Sequence, residues 1–212
     1  MDIKPLRESV FAANRALDNF DTRVASLNPS HLKPEVYRTL KAELMADCLD
    51  TQKLTEQRRT IAAGVGPVQA ARQALQNPNH ALVVAAWKWS EKVTPGHMAF
   101  LDGLRHADPE LLAAAIDTAN GNPAVLHGLS GIVESRQGEL DPVVREQLRG
   151  QVKQTASRFV DRAAVCELAK AELDAHKAIA RIDAISAGPL PPEDKLTQAR
   201  QWAELEALVD AK

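Results

Sequence analysis

Apolar residues recur in the first segment of the chain at alternating spacings of four and three. This is the a/d pattern of a helix that packs lengthwise along a partner helix. Pro29 interrupts the pattern, and Pro34 stands at the expected first turn of the next helix, so a helical hairpin is predicted. The repeating positions are Leu6, Val10, Ala13, Leu17, Phe20, Val24 and Leu27.

Two longer amphipathic patterns follow this segment. The first predicts a helix over 34–63 that ends near Gly66-Pro67. The second predicts a helix over 141–186, stopped by the Gly- and Pro-rich stretch at 188–192. A continuous helix of that length would reach about 65 Å, so we expect either a kink, with Gly150 the suggested place, or an elongated molecule. A last helix is predicted from residue 192 to about 210.

The middle of the chain has a different character, because Pro and Gly interrupt it often and predict four or five short helices. Between Leu111 and Val133 the only charged residue is Asp117, so most faces of these helices must be covered. We therefore predict an all-α fold: a long-helix antiparallel bundle or stalk with an inserted head of short helices. The predicted domains are an N-terminal helical hairpin at 1–66, the head at 67–138, and the long helix plus C-terminal helix at 139–212.

Composition narrows the classes of partner. The chain has 212 residues, and its 26 Lys and Arg against 28 Asp and Glu give a net charge of −2. No overall field would attract nucleic acid, so a nucleic-acid partner is not expected. No apolar run approaches the 18 to 20 residues, roughly, of a spanning helix, and no integral membrane segment is expected. The N-terminus does not resemble a secretory signal, so the expected location is the cytoplasm, or a particle assembled there.

The cysteines and one histidine leave alternatives open. Cys48 and Cys166 lie far apart in the sequence, inside helical patterns. They can be interpreted as small buried hydrophobic residues or as a disulfide between two helices. The sequence does not decide whether they ever meet. His176 falls on the seam of the long helix, where burial would lower its pKa; the plainer interpretation is a partly exposed histidine.

A search for catalytic patterns finds little. The sequence contains no G-x-S-x-G, no glycine-rich phosphate loop and no H-E-x-x-H, and no two histidines lie at the i, i+3 or i+4 spacing of ligands on one helix face. We predict no catalytic residues, no metal site and no cofactor. The weak candidate cluster is His97, Asp102 and His106, with Asp108 nearby, against which stands the interpretation that these residues are solvated or cap helices.

The tripeptide Trp87-Lys88-Trp89 is the leading candidate for a contact with a partner. Residues two apart on a helix point in nearly opposite directions, so one tryptophan should pack inward and the other should be exposed. An exposed tryptophan is typical of residues that anchor protein interfaces. Trp87 and Trp89 are therefore the candidate partner contacts.

Long amphipathic helices with few reactive groups favour a non-enzymatic helical interaction or assembly protein. A structural component of a larger particle, such as a phage virion, is one example of this class. The expected partner is another protein, or a second copy bound through the heptad faces. The alternatives are a membrane-active helical protein and an enzyme with its site in the 67–138 head.

Overall fold

A computed structural model describes residues 2–187 and 191–211 of the chain. This part consists of α-helices and short 3-10 turns and contains no strand, which confirms the all-α class. Residues 188–190, in the predicted stop after the long helix, lie outside the described residues. The helices, in chain order, are α1 (Lys4–Ser26), α2 (Pro34–Cys48), α3 (Thr51–Gln76), α4 (Pro78–Trp89), α5 (Pro95–Gly103), α6 (Pro109–Thr118), α7 (Pro123–Ser135), α8 (Pro142–Ala156), α9 (Arg162–Ala187) and α10 (Pro192–Asp210).

The chain divides into two compact units. One combines the residues up to Arg72 with those from Cys166 onward, and the other is Gln73–Val165. These divisions differ from the predicted ones at residues 66 and 138. Helix α8 accounts for part of the difference, because it packs on α4, α6 and α7 and so belongs with the short helices. The stalk-and-head arrangement stays a prediction.

The repeating apolar positions of α1 pack inside the first unit. Five of the seven are buried, and Val24 and Leu27 at the end are half-buried. Helix α3 comes close to α1 at Gly64, where an added Cβ would lie 3.0 Å from Leu6 Cδ1. The chain itself therefore covers most of this seam.

The prediction of one helix over 34–63 is wrong in two respects: the helix is not continuous, and it does not end near Gly66-Pro67. It is broken after Cys48, and α3 begins at Thr51 with the Asp50 carboxylate accepting the Lys53 amide at 3.0 Å. Helix α3 then continues through Pro67 to Gln76. The local Gly-Pro signal is overridden because Ile61 and Val68, on either side of Pro67, are fully buried and hold the helix in place.

The predicted helix over 141–186 is also broken, and not at Gly150, which lies within α8. Helix α8 ends at Ala156, a 3-10 turn spans Ser157–Phe159, and α9 begins at Arg162. The Asp161 carboxylate accepts the Ala164 amide at 3.0 Å and so fixes the start of α9. Helix α8 lies in the second unit, whereas α9 belongs to the first unit from Cys166 onward.

The second unit is built on a core shared by its short helices. Every helix from α4 to α8 has a proline in its first turn, where the missing amide costs no hydrogen bond within the helix. The Asn122 side chain accepts the amides of Ala124 and Val125 and caps α7. The largest fully buried side chains of this core are Leu112, Ile116, Leu126, Leu129 and Val133.

Candidate interaction site

Helix α4 is apolar on both sides, and only one side is covered. Residues 81 to 87 form an uninterrupted apolar run, of which Ala81, Leu82 and Ala86 are buried. On the opposite side Trp87 is 77% exposed, Val83 49% and Val84 37%. A helix that is apolar all round is normally covered all round. This side of α4 therefore lacks the cover that its composition calls for.

The exposed residues of α4 form one continuous face. At about 100° per residue, His80, Val83, Val84 and Trp87 fall within an arc of about 100°. Glu91 follows one turn after Trp87, in the 3-10 turn that continues the helix, and both His80 and Glu91 are exposed. We call these five residues the α4 face. It has two valines and a tryptophan at its centre and one polar side chain at each end.

Both ends of α4 are fixed by local hydrogen bonds. The Asn77 side chain accepts the Asn79 amide at 3.0 Å, ahead of Pro78 in the first turn. At the other end the Ser90 hydroxyl donates to the Trp87 carbonyl at 2.7 Å. Helix α4 also packs on α7, α8 and the turn at 157–159. A side chain on a helix held in this way is presented in a defined position.

The two candidate tryptophans have different environments. Trp89 is half-buried, and the Lys92 ammonium lies 4.8 Å from the centroid of its ring, a cation–π contact that covers part of the ring. Trp87 is largely exposed. Its predicted role as a contact residue stays a prediction. Sequence reasoning missed Val83 and Val84, although their spacing of four and three from Trp87 places them on its face.

The weak candidate cluster in the second unit does not come together as a site. The His97 ring accepts a hydrogen bond from the Thr94 backbone amide through Nδ1 at 3.1 Å, and the Thr94 hydroxyl accepts one from the His97 backbone amide. The other ring nitrogen of His97 contacts the side-chain amide of Asn122. His97 is thus part of the capping of α5. Asp102 pairs with Arg105 at 2.8 Å. Across residues 2–187 and 191–211 no three His, Cys, Asp or Glu side chains are grouped so as to hold a metal ion.

Asp102 and His106 do line a groove between α5 and α7, without His97. Its floor includes Leu101 and Ile132, and the α7 backbone approaches so closely at Gly128 that an added Cβ would lie 2.5 Å from Leu101 Cδ1. Its one hydroxyl, on Ser135, donates to the Ile132 carbonyl. The hydrogen-bond partner of this hydroxyl is thus a backbone carbonyl of α7 rather than a side-chain base.

The first unit contains a buried ion pair that sequence reasoning missed. Arg72 of α3 donates from Nε and Nη2 to the Glu172 carboxylate of α9, at 2.7 and 3.3 Å. The side chains are only 11% and 1% exposed. A bidentate pair of this kind fixes how two helices lie against each other. The available signal was a glutamate among the apolar positions of α9.

His176 lies one turn beyond Glu172 and contacts the Gln201 side chain of α10 at 3.2 Å. Burial lowers the pKa of His176, and the nearby Glu172 carboxylate opposes that shift. Cys48 and Cys166 are both free and half-buried, and the Cys166 thiol donates to the Val209 carbonyl at 3.4 Å. His176 and Cys166 of α9 therefore each make a side-chain contact with α10.

Among residues 2–187 and 191–211, no helix combines the length and apolar content that crossing a membrane requires. Comparisons of the chain with protein-family models, with curated proteins and with solved structures return no match.

Proposed function

We propose that this chain is a non-enzymatic helical interaction protein that contacts a protein partner through the α4 face. The single observation that carries the proposal is the exposure of Trp87, at 77%, beside two exposed valines on a helix fixed at both ends. Tryptophan is enriched among the residues that dominate binding energy, and rigid presentation reduces the entropy lost on binding.

Trp87 is expected to contribute the largest single share of the binding energy at the α4 face. Covering the exposed ring of Trp87 would bury on the order of 150 Å², which is worth about 4 kcal/mol at about 25 cal/mol per Å². Val83 and Val84 would add to this, and association would cost several kcal/mol in lost freedom. Trp87 alone therefore does no more than offset the cost of association, and the neighbouring contacts must supply the net affinity. Because Trp87 is the largest single contribution, one substitution there should remove most of the binding.

The test compares two variants of the second unit that lose equally accessible side chains. Trp87→Ser removes the centre of the α4 face, and Val143→Ser removes a valine that is 67% exposed on α8. Tagged wild-type and variant chains are expressed in the native host and cross-linked chemically before lysis, so that weak complexes survive purification. The proteins that copurify, including untagged copies of the chain, are then quantified. We expect a partner that is retained by wild type and Val143→Ser and lost from Trp87→Ser. Equal retention by all three chains would contradict the proposal.

Flotation with lipid vesicles separates this function from membrane binding. The α4 face carries one histidine and one glutamate, with Lys88 at its edge. This is less than the lysine- and arginine-rich border that helps a helix bind an anionic membrane surface. We expect no flotation with neutral or anionic vesicles. Flotation that Trp87→Ser abolishes would assign the face to a membrane and contradict a protein partner.

A further inference from the structure

The polar residues at the two ends of the α4 face have complementary chemistry. His80 lies in the first turn of α4, and Glu91 lies just past its last residue. An imidazole can donate an N–H to a carboxylate in either protonation state. The order along the face is therefore donor, valines, tryptophan, acceptor. Two copies of the face that run in opposite directions therefore place the donor of each copy opposite the acceptor of the other.

An antiparallel arrangement of two α4 helices satisfies this order. With a two-fold axis between the positions of Val84 and Trp87, His80 of each copy lies opposite Glu91 of the other, and Trp87 lies opposite Val84. The polar pair and the apolar pair are then satisfied in the same arrangement, and the two-fold axis forms each pair twice. A parallel arrangement would place each Glu91 beside the same residue of the other copy, where like charges repel.

The helix dipole supports the same direction. The amide groups of the first turn of α4 carry a partial positive charge, and the Asn77 cap accepts from only one of them, that of Asn79. In the antiparallel arrangement Glu91 approaches this end of the partner helix. Lys88, at the edge of the α4 face, would lie opposite Val83 and can cover it with its aliphatic stem.

We infer that the occupant of the α4 face is the same face of a second copy, packed antiparallel about a two-fold axis, with Trp87 on Val84 and His80 against Glu91. The inference rests on the proposed function and names its partner. One helix per copy covers less than the approximately 800 Å² per partner of a standard interface, so the dimer is weak, with a Kd between about 1 µM and 1 mM.

The first experiment is sedimentation equilibrium of the full chain from about 10 µM to about 1 mM. We expect a reversible dimer for wild type and for Val143→Ser, and a Kd at least tenfold weaker for Trp87→Ser. A monomer throughout the range would overturn the inference. A dimer that Trp87→Ser leaves unchanged would overturn it as well, because the interface would then lie elsewhere.

A charge exchange tests the pairing at the ends. His80→Glu places two carboxylates together, Glu91→Lys places a lysine beside a histidine, and each should weaken the dimer about three- to tenfold at low salt. The double variant carries glutamate opposite lysine and should return to within about threefold of wild type. Circular dichroism confirms that each variant is folded. A double variant as weak as either single one would refute the pairing.

Disulfide cross-linking tests the direction, in a chain with Cys48 and Cys166 replaced by serine. In the antiparallel register, position 84 of one copy lies about 4 Å along the axis from its equivalent, whereas the two positions 80 are about 16 Å apart. Val84→Cys should therefore cross-link under mild oxidation, and His80→Cys should not. Efficient cross-linking at both positions would indicate a parallel pair and overturn the register.

These outcomes are distinct from failure of the proposed function. If the chain is monomeric while Trp87→Ser still loses a copurifying protein, this inference is wrong and the interaction function stands. If Trp87→Ser changes neither the dimer nor the retained proteins, both are wrong.

Discussion

The buried pair between Arg72 and Glu172 should dominate the effect of single substitutions in the first unit. Arg72→Leu leaves the Glu172 carboxylate, 1% exposed, without the two hydrogen bonds that it accepts at 2.7 and 3.3 Å. Removing one partner of a buried ion pair costs about 3 to 5 kcal/mol, since the remaining charge stays desolvated. We expect the free energy of unfolding of Arg72→Leu to fall by this amount.

Urea unfolding followed by far-ultraviolet circular dichroism measures this loss. Adding Glu172→Leu to Arg72→Leu should recover most of it, because two apolar side chains leave no charge to desolvate. The control is Arg105→Leu, whose partner Asp102 and own side chain are 71% and 68% exposed, and whose loss should stay within about 0.5 kcal/mol. A loss below about 1 kcal/mol for Arg72→Leu, or a double variant no more stable than it, would refute this reasoning.

Two further predictions concern stability. In Gly131→Ala of α7 the added Cβ meets no atom within 4 Å, and the substitution should raise the free energy of unfolding by about 1 kcal/mol. In Gly128→Ala the added Cβ forces Leu101 to move, so the rise in the free energy of unfolding should be about 1 kcal/mol smaller. Thermal unfolding of both variants checks this, and equal gains would contradict the close packing of α5 on α7. Burial lowers the pKa of His176, so the unfolded chain binds the proton more readily. Its contribution to stability should therefore be present at pH 7 and above, decrease as the pH falls through the ordinary histidine pKa of about 6.5, and be lost below the folded pKa. Urea midpoints between pH 7.5 and 5, roughly, should fall less for His176→Gln than for wild type; parallel curves would show that other groups cause the decrease.

Local signals indicated the helix starts at Pro109 and Pro123 well, and the ends and breaks of the helices predicted over 34–63 and 141–186 poorly. A proline in the first turn, as at Pro109 and Pro123, fixes a backbone angle and removes an amide that would have no partner, so it acts without tertiary help. Pro67 carries the same local signal but lies inside α3, because burial on both sides of it outweighs the lost hydrogen bond. Sequence spacing alone does not contain that burial.

The sequence contains a local signal for each break in the two predicted long helices. Asp50 and Asp161 both cap a helix start through the side chain, and an aspartate followed by a helical pattern is a recognised start signal. The continuous apolar stripe obscured both. The pair of Arg72 with Glu172 was not readable in this way, because it joins residues one hundred positions apart.

The sequence named Trp87 and Trp89 as candidate contacts, and that role stays a prediction. Opposite directions for Trp87 and Trp89 follow from helix geometry, but which one is exposed depends on the packing of α4 against α7 and α8. The cluster of His97, Asp102 and His106 was a hypothesis from proximity in sequence. In the structure His97 takes part in the capping of α5, while Asp102 and His106 line a groove that does not include it.

The most direct test of the α4 face is photo-cross-linking in the native host, with a photoreactive phenylalanine derivative in place of Trp87 or, as a control, of Val143. We predict one discrete adduct from position 87, with either a second copy or one partner protein, and none of that mass from position 143. No adduct from position 87, or the same adducts from both positions, would contradict the proposal that this chain works through the α4 face.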